Sequence, residues 1–140
     1  MTSIFSRIIA GELPGRFVWR DERAVAFLSI GPLQPGHTLV VPVEEIDHWI
    51  DLPPDLLAHL TAVAQHVGQA LDRAFRPEKV AMMIAGLEVP HVHLHVVPIR
   101  GVHDLDFANA DTSPDAAALD SAAEAIRAAL RELGHEPPPA

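Results

Sequence analysis

The chain has 140 residues and no cysteine. Disulfides, zinc–thiolate sites and thiol nucleophiles are therefore excluded, and the fold must stand on packing alone. Cations are scarce too: ten Lys and Arg face nineteen Asp and Glu, a formal charge of −9. Phosphate-backbone contacts dominate nucleic-acid affinity, so this balance argues against a nucleic-acid partner, whereas a small anion needs only a few donors in one pocket. No apolar run approaches the roughly 18 to 20 residues that span a bilayer, which argues against a membrane partner. The opening "MTSIFSRIIAGELPG" interrupts its apolar stretch with Ser6 and Arg7, unlike a secretion signal. The expected location is the cytoplasm.

What is present is apolar to 49%, enough to bury the core of a single domain. "SIFSRIIAGELPG" reads as a short helix ended by Gly11, Pro14 and Gly15. "RFVWR" (16–20) and "AVAFLSI" (24–30) read as a hairpin, and "HTLVVPV" (37–43) as a third strand. After Pro53 and Pro54, apolar residues from Leu56 to Phe75 recur at three- and four-residue steps, an amphipathic helix of about five turns that stops near Pro77. "KVAMMIA" and "HVHLHVVPI" supply strands four and five. Residues 106–114 read as loop, and Ser113, Pro114 and Asp115 suit the N-cap, first position and first turn of a helix over 115–133. Consecutive strands with short connections, interrupted by one long helix, predict an α+β domain: a roughly five-stranded antiparallel sheet with helices packed on it. The expected division is a domain over 1–105 and a C-terminal extension over 106–140, packed on the same domain.

Chemistry concentrates in "PHVHLHVVP", residues 90–98. In a strand His91, His93 and His95 share one face while Val92, Leu94 and Val96 share the other, so the imidazoles are expected to line an opening. Three readings compete. One is a half-exposed strand in a chain that carries nine histidines. Another is a metal site, which geometry weakens: His91 and His95 lie about 13 Å apart on an ideal strand, whereas zinc ligands come within about 2.1 Å of the ion. One ion would then take two of the three, completed by His37 or Glu88. The last is nucleophilic catalysis at phosphorus, for which a neutral imidazole near pH 7 is suited, and crowding disfavours multiple protonation.

"HVHLHVV" fits a pattern of three histidines alternating with apolar residues, and resembles the histidine-triad (HIT) family of nucleotide hydrolases and transferases. The likeness runs from about Ile4 to Ile99 through "IFSRIIAGELP", "AFLSI", "PGHTLVVP" and "AGLEVPHVHLHVVP". The resemblance implies a HIT-like fold in which His93 attacks the α-phosphorus of a small nucleoside phosphoramidate or dinucleoside polyphosphate, forming a nucleotidyl-histidine that water cleaves. His95 would contact the phosphate and assist the leaving group, and His91 and His37 would support them. Phe5, Ile8, Leu13, Phe27, Leu28, Ile30 and Leu39 would hold the nucleoside, with Ser29 at the ribose, and Gly86, Glu88 and Val89 the phosphate. No cofactor is implied, and the expected partner is a second copy in a homodimer. The rival reading is a nucleotide-binding protein with little or no turnover.

Departures from the family pattern fall around the triad. Ser29 stands where relatives often carry a ribose-binding Asp. Leu87 replaces a Gln, and the Asn-Gly pair ahead of the triad is missing. Ser3, Ser6 and Glu45 stand where zinc-binding branches carry two cysteines and a histidine, so no structural zinc is expected.

Overall fold

A computed structural model describes residues 2–140. Its elements follow the sequence periodicities closely. Helix α1 (Ile4–Ile9) is capped by Ser3, whose hydroxyl accepts the Ser6 N–H. Strands β1 (Phe17–Arg20), β2 (Ala24–Leu28) and β3 (Thr38–Pro42) come next, then α2 (Pro54–Phe75), β4 (Lys79–Met83), β5 (Leu94–Ile99) and α3 (Ala116–Glu132). The strands form one sheet in the order β1-β2-β3-β5-β4, and every neighbouring pair is antiparallel. The fold is α+β, as the pattern of elements predicts.

Strand alternation splits the apolar residues between two faces. Val18, Ala24, Ala26, Leu28, Val40, Leu94 and Val96 pack against α2 and α3 in the larger core. The buried stripe of α2, Leu56, Leu60, Val63, Ala64, Val67, Ala70 and Leu71, completes it. Each fully buried Leu or Val contributes about 1.5–3 kcal/mol, so this layer is the main source of stability. The intervening residues Val25, Phe27, Leu39 and Val41 point the other way and form a smaller cluster with Phe5 of α1. His37, His93 and His95 lie on that second face.

Several boundaries differ from expectation. Helix α2 has 22 residues, about six turns rather than five. Strand β2 stops at Leu28, leaving Ser29 and Ile30 in the following turn. Strand β5 starts at Leu94, so His91 and His93 precede it. Proline explains this: Pro42 at the end of β3 has no N–H to donate, and its carbonyl accepts the His91 ring (2.8 Å), while Val92 N–H turns to the Ile46 carbonyl (2.7 Å). Helix α3 begins after Asp115 rather than Ser113, because the Ser113 N–H is bound to the Asp111 carboxylate in a local turn. Two short 3-10 turns follow β5, Val102–Leu105 and Phe107–Asn109, and the second interrupts the 106–114 stretch that reads as loop. No helix among the described residues is long and apolar enough to cross a membrane.

Candidate active site

The sheet register builds the site. Phe27 pairs with Leu39, and Leu39 with His95, so their side chains stand in one row on the face that α1 covers. Gly36 precedes His37 with φ +94°, and a Cβ there would come within 2.7 Å of the Phe75 ring, so the turn that delivers His37 requires glycine. Beneath α1 lies a cavity of about 500 Å³ with mostly apolar walls, at whose base sit His37, His93 and His95. A wider open groove between α2 and β4 carries no histidine and lies on the opposite face of the sheet.

Hydrogen bonds set the tautomers. Leu33 N–H donates to His37 Nδ1 (3.0 Å), so the His37 proton is on Nε2, which donates to His95 Nδ1 (2.9 Å). The His95 proton is then on Nε2, the one buried side-chain polar atom without a partner among the described residues. A buried donor left unpaired costs about 1–3 kcal/mol, so His95 Nε2–H is poised for an acceptor from outside the protein. His93 is set the other way: its Nδ1–H donates to the His91 carbonyl (2.9 Å), leaving Nε2 as a free lone pair. The rings of His93 and His95 stand 4.8 Å apart, so a free lone pair and an unpartnered N–H donor adjoin at one wall.

Burial keeps His37 and His95 neutral. It lowers His37 to about 3, helped by the neighbouring His95 and His93. It lowers His95 to about 4, helped by His93 and opposed by the carboxylate of Glu88. Glu88 Oε2 stands 3.9 Å from His93 Nε2 on an exposed loop. Arg16, at the cavity rim, is engaged with Asp120 at 2.7 Å.

His91 corrects the expectation that all three imidazoles line an opening. It is fully buried behind the cavity, with Nε2–H on the Pro42 carbonyl and Nδ1 accepting the Ser3 hydroxyl at 2.6 Å. Burial lowers its pKa, opposed by the Pro42 hydrogen bond and by Glu45. Glu45 Oε1 in turn accepts Ser3 N–H (2.6 Å) and Ser6 Oγ–H (2.7 Å).

Of the residues assigned to the nucleotide, Phe5, Ile8, Leu13, Phe27, Leu28, Ser29, Ile30, Leu39, Glu88 and Val89 line the cavity, and Gly86 does not. Gly86 has φ +80° and gives the loop its left-handed bend. Sequence reasoning missed Phe107 and Leu119, which line the same cavity. Phe107 sits edge-on to His95 at 5.3 Å and is 41% exposed. It is held there by Asp106, which accepts Ala108 N–H, and by Asp111 N–H on the Pro32 carbonyl. The one available signal was an isolated aromatic in the polar run "DLDFANAD".

The HIT domain family model matches residues 10–102. An uncharacterised HIT-like protein of Methanocaldococcus jannaschii is 36% identical over 99 residues, 68% of this chain and 77% of that protein. A zinc-bound histidine triad family protein from Mycobacterium smegmatis superposes with a TM-score of 0.82 at 31% identity, over 95% of this chain and 96% of that one. A hypothetical histidine triad nucleotide-binding protein from Sulfolobus tokodaii also gives 0.82, at 26% identity, over 92% of each chain.

The corner of Ser3, Ser6, Glu45 and His91 does not fit a zinc ion. Ligands about 2.1 Å from a tetrahedral zinc lie about 3.4 Å from one another. Here the atoms are in direct hydrogen bonds, 2.6 Å from Ser3 Oγ to His91 Nδ1 and 2.7 Å from Ser6 Oγ to Glu45. Hydroxyls are also poor substitutes for thiolates.

Proposed function

The chain belongs to the histidine-triad family, and we propose that it hydrolyses a small nucleoside phosphoramidate or dinucleoside polyphosphate at the α-phosphorus through a nucleotidyl-histidine intermediate. The carrying observation is the pair at the cavity wall, a bare lone pair on His93 Nε2 beside an unpartnered N–H on His95 Nε2.

In the first half-reaction His93 Nε2 forms a P–N bond as the bond from phosphorus to the leaving group breaks. The leaving group departs with that electron pair and takes up a proton from water. His95 Nε2–H donates to a phosphate oxygen, where negative charge accumulates. In the second half, water attacks phosphorus, the P–N bond returns its electron pair to His93, and the proton lost by the water passes to Glu88 and on to solvent. His37 holds His95 in the required tautomer, as the His91 carbonyl does for His93. The nucleoside lies against Phe5, Phe27 and Leu39, and Ser29 meets the ribose. The phosphate end faces the loop that Gly86 bends, where backbone N–H groups of Glu88 and Val89 would donate to the oxygens.

The reading includes a cytoplasmic homodimer. Strand β4 is an edge strand whose other side pairs with nothing among the described residues, and its Met82 is 53% exposed.

One observation favours binding without turnover: the cation at the cavity rim is already paired to Asp120, and a carboxylate stands beside His93. Single-turnover assays with adenosine phosphoramidate and diadenosine polyphosphates separate the readings. The proposal expects a labelled protein intermediate in wild type and none in His93→Ala. Equal inertness of the two proteins, with nucleotide still bound, would leave only the binding reading.

A further inference from the structure

His91 touches no substrate in the proposed reaction, yet it is the most buried of the three triad histidines. Both its ring nitrogens are committed. Because a carbonyl only accepts, the Pro42 contact places the ring proton on Nε2, so Nδ1 must accept and the Ser3 hydroxyl must donate. The Oγ–Nδ1 distance of 2.6 Å marks a short bond inside the protein, where Ser3 is only 6% exposed.

Ser3 is bound on every polar atom its side of α1 offers. Its hydroxyl oxygen accepts Ser6 N–H (3.0 Å) as the helix cap, and its own N–H is held by Glu45, which also takes the Ser6 hydroxyl. Two residues further on, Phe5 lays its ring edge against His91 (5.8 Å) and His93 (4.9 Å). One hydroxyl thus joins the roof of the cavity to the peptide whose carbonyl orients His93.

We infer that Ser3 is a positioning residue for His93. Its hydroxyl fixes His91, whose carbonyl holds His93 Nδ1–H, while Glu45, bound to the Ser3 backbone N–H, holds α1 and Phe5 over the cavity. The inference rests on His93 as the nucleophile.

Ser3→Gly is the decisive variant, since glycine is tolerated at a helix N-cap with a small loss while the hydroxyl is removed. Wrong imidazole tautomers cost up to about four orders of magnitude where a partner normally fixes them, so an indirect tether predicts a loss in kcat of about tenfold or more. KM should stay within about threefold, and Ser3→Thr, which keeps the donor, should recover kcat to within about threefold. Long-range nitrogen–proton NMR of the imidazoles gives a readout that needs no turnover. Wild type should show His93 only as the Nδ1–H tautomer, and Ser3→Gly should add the Nε2–H form. If wild type proves inert, the hydrolase reading falls and the tautomer measurement still decides the tether. A lower Tm in Ser3→Gly with kcat and the His93 tautomer both unchanged would overturn it.

Discussion

Acid should weaken this fold well before its carboxylates titrate. His37 is 2% exposed and His95 5%, and burial lowers them to about 3 and about 4. In the unfolded chain each returns to about 6.5. Below that value the unfolded state binds protons that the folded state refuses, so stability is full above about pH 6.5 and is lost as pH falls toward the folded values. At about 1.36 kcal/mol per unit, lowering the pH from about 7.5 to 5 removes about 2 kcal/mol for each histidine, roughly 4 for the pair. His91 is lowered as well and acts in the same direction. Asp21, Glu45 and Asp104 are lowered from their ordinary values, so the stability they add is present near neutral pH and is lost only below the ordinary carboxylate range. Urea unfolding followed by tryptophan fluorescence at the two pH values measures the difference. His95→Asn carries no titrating ring and should reduce it by about 2 kcal/mol, whatever its own stability. A wild-type difference under about 1 kcal/mol, or one that His95→Asn leaves intact, would refute the neutral pair.

Phe107→Ala removes a half-exposed ring beside His95 and should weaken nucleotide binding about 5- to 30-fold by calorimetry, with little change in Tm. Ser29→Asp places a charged acceptor at the cavity wall and should raise the preference for ribonucleotides over 2′-deoxyribonucleotides about tenfold, read as a ratio of Kd values. Arg127, buried in α3, donates from Nε to the Phe17 carbonyl (2.9 Å), so Arg127→Met should cost about 1–3 kcal/mol in urea unfolding.

Where the sequence carries a period, the structure was legible from it. The three- and four-residue steps of α2 and the alternation of β2 and β3 gave the layers, and the alternation of Val92, Leu94 and Val96 correctly placed those residues in the larger core. What failed depended on contacts distant along the chain. His91 reads as a cavity residue until Ser3, 88 positions earlier, is seen to cover it. The start of β5 hinges on a proline in its partner strand. Phe107 reaches the cavity through turn hydrogen bonds of Asp106 and Asp111, which leave no periodic trace. The two tryptophans also divide on such contacts: Trp19 stacks on His66 at 5.5 Å, while Trp49 is 42% exposed.

The relay from Leu33 through His37 to His95 has a closed end. Its last donor is a backbone amide, which cannot surrender its proton at any pH the protein survives. His37 therefore has no route to bulk water through that amide and acts as an insulator rather than a conductor. On that path the protein lends the site orientation but no protons, and in the proposed hydrolysis those that change hands must be balanced among the leaving group, water and Glu88 at the open mouth.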